Sequence, residues 1–390
     1  MNITVVHPNE LGEAEVARWR GIQRATPSLQ NPFLSPEFTV AVGHLRARAR
    51  VAVLFDGPEI VGFFPFERRG FGYGVPIGAG HNDCQGLVHV ADLDFDPQEL
   101  LRVCGLAVWE FDYLVGGQKP FEPYQKASAS SPIMDFSAGF DPFLAQLQQN
   151  SSTFREVSRK QRKLARDVGE LRFVFDTGNA QALRTLMAWK SAQYLRTGWA
   201  DRFAQRWFVE LLEQLLDTRN EGFSGVLSML YAGDEPVAGH FGLRADREMV
   251  HWFPAYDIRF SRYSPGSIMN LSLAEEAAAA AVQHIDMGPG GEEYKQWFRS
   301  RDLVVARGQV VRRSPGAAVH WLRRAPAERL HRTIKEHPSL HRAAKRARIG
   351  YGQIDAALHR RAGLSCTPSS FGSGGHREVS GRADYSRSSE

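Results

Sequence analysis

Residues 286–298 read DMGPGGEEYKQWF, and they hold three groups able to do proton and charge chemistry close together. Asp286 can take up a proton, Tyr294 can give one, and Lys295 can hold an anion. Between the acid and the other two stand three glycines and a proline, which punctuate structure and let a chain double back. Loops at the carboxyl ends of strands are where α/β folds assemble their chemistry. Asp286, Tyr294 and Lys295 are therefore candidate catalytic residues. His240 and His251 stand upstream on strand-like runs and are further candidates for the base.

A second stretch, DIRFSRYSPGSIMN, has the features of an anion site. Ser264 and Pro265 open a helix, and the backbone N–H groups of Gly266, Ser267 and Ile268 are free at its positive end. Arg262 stands just before it and can neutralise a phosphate. The strand ahead contains Pro254, which cannot donate to a neighbour and so fits a strand that parts from it. Phe253, Pro254 and Ala255 then offer backbone groups to an extended ligand. On the helix NAQALRTLMAWKSAQYLRTG, Lys190 and Tyr194 share a stripe with Leu183, Leu186 and Met187. Lys190 there either snorkels or faces a cleft. The run His81-Asn82-Asp83-Cys84 cannot direct four consecutive side chains to one point, so no metal is expected. It reads as a polar loop bordering a cleft, with Asp83 available to a substrate.

The elements that must position these groups follow one plan twice. VAVLFDGPEIVGFFPFERR (Val51–Arg69) and LSMLYAGDEPVAGHFGLRAD (Leu227–Asp246) each have a β-rich run, a tight Asp/Gly turn and a second strand. That pattern predicts two hairpins, and its repetition predicts duplication of a mixed α/β unit. Between them lie three helices. The first opens with Thr153 and Glu156 as a capping box, the second ends at Gly198, and the third is amphipathic. A further Ala-rich helix starts at Pro265, a short strand covers His284–Met287, and a strand pair is expected around DLVVARGQVVRR.

The bulk figures narrow the setting. The 390 residues are enough for two domains, the hydrophobic fraction is 43%, and no apolar run reaches bilayer length. The N-terminal stretch reads as a strand and a polar helix, not a secretory signal. Cys84, Cys104 and Cys366 are scattered without metal-ligand spacing and fit a reducing compartment. The net charge of +5 is uneven: Arg312 to Arg361 carries 13 Lys/Arg against 3 Asp/Glu, or +10, and the rest is acidic at −5. A mildly acidic body argues against nucleic acid as a partner.

From Ser151 to Trp297 the sequence resembles the acetyltransferase domain of the CelD/BcsL (BioF2-like) type, within the GCN5-related N-acetyltransferase (GNAT) superfamily. FREVSRKQRKLARD, LYAGDEPVAGHFGLR, YSPGSIMN and HIDMGPGGEEYKQWF carry the resemblance. The tandem plan is similar to FemAB-type transferases, two GNAT units side by side. The resemblance implies an α/β (α+β) fold with a degenerate GNAT-like unit over 1–150 and an acetyltransferase unit over 151–313. Each unit would be a mixed, mostly antiparallel sheet flanked by helices. A basic helical segment over 314–363 and a disordered tail over 364–390 would follow. It implies acyl transfer from acetyl-CoA or another acyl-CoA, without a metal, to a sugar or amino-sugar linked to bacterial surface polysaccharide. Tyr294 would then protonate the departing thiolate. The phosphate loop departs from the family's Arg/Gln-x-x-Gly-x-Gly/Ala pattern, since YSPGS follows Arg262. Two alternatives stay open: aminoacyl transfer from charged tRNA to a cell-wall precursor, and an inactive GNAT pair serving as a scaffold. The expected location is cytoplasmic, with the basic segment offering peripheral contact to the inner membrane.

Overall fold

The computed structural model describes residues 1–319 and 322, apart from 79, 150 and 221. The basic segment beyond its first residues, and the tail over 364–390, lie outside the described residues. The first part of the chain forms β1 (Asn2–Val6), α1 (Glu13–Ala25), α2 (Pro36–Leu45), β2 (Ala49–Asp56), β3 (Glu59–Arg69), β4 (Tyr73–Pro76) and β5 (Val88–His89). It continues with α3 (Pro97–Val103), β6 (Val108–Val115), β7 (Gln125–Asp135) and α4 (Phe140–Gln149). Then follow α5 (Ser151–Asp167), β8 (Leu171–Val174), α6 (Ala180–Thr197), α7 (Arg206–Asp217), β9 (Arg219–Asn220), β10 (Phe223–Ala232) and β11 (Glu235–Ala245). The last elements are β12 (Glu248–Tyr256), α8 (Pro265–Ala279), β13 (His284–Asp286), α9 (Glu293–Phe298) and β14 (Arg301–Val311).

The fourteen strands among the described residues belong to one sheet, with the main path β1-β2-β3-β4-β6-β14-β7-β13-β12-β11-β10-β8. Strand pairs are antiparallel except β4·β6 and β12·β13. Both expected hairpins form, β2–β3 at Asp56-Gly57 and β10–β11 at Gly233-Asp234. Helix α6 starts where Asn179 accepts from the N–H groups of Gln181 and Ala182, and it stops at Gly198 in the left-handed conformation. Its Leu183, Leu186 and Met187 are buried against the sheet. Each such side chain stabilises the fold by roughly 1.5–3 kcal/mol.

Two local expectations are corrected. Thr153 lies inside α5, which already begins at Ser151, and Glu156 pairs with Lys160 at 2.7 Å instead of closing a capping box. DLVVARGQVVRR is one strand, β14, with a register break at Arg307/Gly308, not a strand pair. The glycine marks a close approach: a Cβ there would lie 2.2 Å from the carbonyl oxygen of Tyr124.

The sheet runs unbroken across residues 150/151. Strand β14, the last of the described strands, lies between β6 and β7, and β7 in turn pairs with β13. One hydrophobic core also spans both parts, with Phe33 edge-on to Trp252 at 5.1 Å and Phe208 edge-on to the same indole at 5.7 Å. The two parts are thus bound through backbone and core alike.

Candidate functional site

Strand β12 pairs with β13 only at Glu248↔His284, Met249↔Ile285 and Val250↔Asp286. There β13 ends and its chain turns away at Gly288, while β12 continues to Tyr256. Among the described residues, 251–256 therefore have no strand neighbour on that side, and this parting of the two strands is the cleft. At the far end of the cleft stands the N-terminus of α8. Ser264 takes a left-handed conformation (φ 51°, ψ 52°), and its hydroxyl accepts from Lys160 Nζ at 2.8 Å. It does not cap the helix by its side chain, contrary to expectation. The N–H groups of Ser267 and Ile268 are both directed to the Ser264 carbonyl, at 3.0 and 3.4 Å. Of the three donors expected, the Gly266 N–H is left for a ligand, with the Lys160 ammonium nearby. Arg262 lies 4.7 Å over the ring of Tyr263 and bonds its hydroxyl, while Arg259 is held by Glu235 and Asp257.

At the apex of the cleft Asp286 is buried and fully engaged. It accepts from Asn31 Nδ2 at 2.9 Å, from the Ser131 hydroxyl, and from the Gly288 N–H at 3.0 Å. Burial raises its pKa above the usual carboxylate range. It ties β13 to β7 and to the segment ahead of α2. Lys295 is buried as well, and its ammonium donates to the carbonyls of Gly288 (3.1 Å) and Pro289 (3.3 Å) and meets Glu292 at 3.2 Å. It fastens the glycine loop.

His240 and His251 stack at 4.4 Å in the core under α8, where His251 Nε2 meets Asn270 Oδ1 at 3.0 Å. Burial pushes the His251 imidazole down to about 3 and His240 well below its ordinary value, so both are neutral and weak as bases. Tyr294 packs half-buried on the same side, its ring 6.5 Å from that of His251. Burial raises its pKa, so the phenol stays protonated.

The opposite side of the cleft brings together groups from distant parts of the sequence. Lys190 of α6 donates to the Pro254 carbonyl at 3.0 Å, and its ammonium lies 5.4 Å from the Tyr194 ring centroid. The loop His81–Gln85 crosses from the first part of the chain. Its His81 carbonyl accepts from Trp252 Nε1 at 2.7 Å, and the His81 ring packs 4.2 Å from that of Phe208. Asp83 is thereby set against the turn after β13. Gly288 has φ +75°, and a Cβ there would lie 2.9 Å from Asp83 Oδ2, so the close approach requires glycine.

The half-buried Asp83 carboxyl makes no hydrogen bond or ion pair among the described residues. Burial raises its pKa to about 6, against the lowering effect of Arg202. Arg202, in the short turn between α6 and α7, also acts on Tyr113 and Tyr194. An unpaired carboxylate of that pKa, half-shielded in a cleft, has the properties of a general base near neutral pH.

Lys190, Tyr194, Asp83 and the 253–255 backbone thus share one side of the cleft, Asp286 and Lys295 its apex, and Gly266 its far end. His240, His251 and Ile268 belong to the core. Asn31, Ser131, Lys160 and Arg202 were not singled out from sequence. Only Lys160 left a signal there, as part of the basic opening helix. Among the described residues no group of three or more His, Cys, Asp or Glu could hold a metal ion.

Residues 151–296 match the family model described as an acetyltransferase (GNAT) domain. No curated protein sequence matches the chain. Among solved structures, FemX overlays with a TM-score of 0.51 at 11% identity, covering 79% of this chain and 96% of that one. A conserved protein of unknown function from Bacteroides thetaiotaomicron gives 0.50 at 10% identity, over 79% and 100%. A tandem GNAT protein from the clavulanic acid biosynthesis pathway gives 0.45 at 10% identity, over 80% and 98%. Likeness at these identities concerns the fold. With the family match, the parted β12·β13 pair and the helix at its end, the chain carries a GNAT acetyltransferase domain over residues 151–296 and is an acyltransferase.

Proposed function

We propose that the donor is an acyl-CoA, acetyl-CoA in the simplest case, and that the acceptor is a sugar or amino-sugar of a surface polysaccharide. The narrower CelD/BcsL type belongs to the same proposal, and its support is the sequence resemblance. The donor fits what the cleft offers: an unpaired β12 edge for an extended amide-bearing arm, and the Gly266 N–H with Lys160 for its phosphates. One observation carries the reading. Asp83, without a partner among the described residues, faces the turn at the head of that edge.

The acceptor's amine or hydroxyl attacks the acyl carbon as Asp83 takes its proton. Tyr294, protonated by burial, is the group we assign to the leaving thiolate. The location proposed is cytoplasmic, with the basic segment over 314–363 meeting anionic lipid at the inner membrane. No helix among the described residues is long and apolar enough to cross a membrane.

A second reading, aminoacyl transfer from charged tRNA, draws support from the exposed Arg159, Arg162, Lys163 and Arg166 of α5. Thermal unfolding with acetyl-CoA, free CoA and charged tRNA separates the readings, because a ligand bound only by the folded state raises the melting temperature. A rise with acetyl-CoA that Ser267→Glu removes supports the first. A rise with charged tRNA alone supports the second. A cooperative melt unmoved by either leaves the scaffold.

A further inference from the structure

Three lysines stand around the cleft, and their surroundings differ. Lys160 is paired with Glu156 and bonded to Ser264. Lys295 is paired with Glu292 and bonded to two carbonyls. Lys190 has no carboxylate within ion-pair distance among the described residues, and its ammonium donates to Pro254 O.

That carbonyl belongs to the part of β12 beyond the end of β13. Pro254 lies opposite His240 in the β11·β12 ladder and has no N–H to give to β11. The amine thus reaches the strand edge along which the proposed donor would lie. The charged groups that act on it are Glu292 from the loop before α9, Arg202 from the turn after α6, and Lys295 from α9, with the Tyr194 ring beside it. Burial, assisted by the two cations, lowers its pKa to about 8. Lys190 is therefore a shielded amine with an appreciable neutral fraction near neutral pH.

We propose that Lys190 is a site of self-acylation, its Nζ taking the acyl group from a thioester donor held along β12. The proposal rests on the acyl-CoA reading above. The Nζ lone pair forms a bond to the acyl carbon, the carbon–sulfur bond breaks, and the thiolate leaves with the electron pair. The proton shed by Nζ goes to the thiolate. The products are an amide at Lys190 and a free thiol. Acylation removes one cation from that side of the cleft, where Arg202 also acts.

The test is incubation of the full chain with acetyl-CoA, followed by intact mass and peptide mapping, with thermal unfolding in parallel. Lys190 is expected to acquire acetyl ahead of the exposed Lys163, and free CoA is expected to slow it. Between pH 7 and 9 its rate should rise about tenfold, following an amine of pKa about 8, against about a hundredfold for an exposed lysine. Lys190→Arg, melting as the wild type does, should lose this label and keep the others.

A melting rise with acetyl-CoA while Lys190 is labelled no faster than Lys163 would overturn self-acylation and leave the donor reading standing. No melting rise and no selective label would overturn both.

Discussion

The sheet contains two parallel strand pairs that part, and they have met different fates. In the first part of the chain β4 and β6 pair at Tyr73↔Val108 and Gly74↔Trp109 and then separate. The edge of β6 that this frees is taken by the chain itself. Gln85 donates its N–H to Tyr113 O at 2.9 Å and accepts from the Val115 N–H at 2.8 Å. Its side chain accepts from the N–H groups of Asp112 and Tyr113, and Gln118 bonds both backbone groups of Leu87. Beside this filling remains a cavity of about 570 Å³ lined by Arg69, Tyr73, Glu110, Tyr113 and Arg307, among others.

In the second part, β12 and β13 part in the same way, but among the described residues the β12 edge beyond Val250 has no strand partner, and it meets Lys190. The filled cleft nevertheless serves the open one. The segment that closes β4·β6 is the one that carries Asp83 to Gly288. The first part of the chain thus positions a residue at the strand edge of the second.

The comparison breaks most visibly at Asp83. Replacing it with Asn should lower turnover by about 10²–10⁴-fold, the usual contribution of a general base, with donor affinity unchanged in a titration. Turnover within a few-fold of wild type would confine the first part to a structural role.

The same variant tests the electrostatics. The folded pKa of about 6 lies above the ordinary aspartate value of 3.8. The folded state thus holds its proton more tightly than the unfolded one, and stability falls as pH rises from about 4 to 6. Asp83→Asn should therefore melt higher than wild type at pH 7, and the two melting temperatures should converge near pH 4. Wild-type turnover should fall as pH drops through 6.

A smaller effect is expected from Gly288→Ala, because φ +75° disfavours a side chain and the new Cβ would press on Asp83. About 1 kcal/mol or more of stability should be lost, along with about tenfold in turnover, while acetyl-CoA binding survives. Lys160→Ala should weaken the donor about three- to tenfold, the scale of one charge-assisted contact. At the filled cleft, Gln85→Ala should cost about 1–2 kcal/mol in a denaturant melt, from unpaired backbone groups, with donor affinity untouched.

Much of this plan was legible locally. The two hairpins announce themselves through Asp56-Gly57 and Gly233-Asp234, and α6 through Asn179 and Gly198, because turns and caps depend on neighbouring residues. Pro254 marked the free strand edge for the same reason. Long-range facts were silent. Nothing near Arg301–Val311 says that β14 will lie between β6 and β7, and Gly308 there serves a close contact rather than a turn. The meeting of Asp83 with Gly288 spans some two hundred residues, so Asp83 could be noticed only as part of a polar loop. Asp286 looked like a base because Asn31 and Ser131, which occupy it, lie far away in sequence. The histidines lost that role through burial, which their strand pattern did not reveal. Ser264 resembled a cap, yet its left-handed backbone turns the hydroxyl to Lys160.

Backbone hydrogen exchange with and without acetyl-CoA tests the central claim most directly, because both parted edges are read in one experiment. Slowed exchange at residues 251–253, 255 and 256 and at Gly266, with residues 110–115 unchanged, is the predicted result. Protection at 110–115 with none at 251–256 would contradict the assignment of the donor to the open cleft.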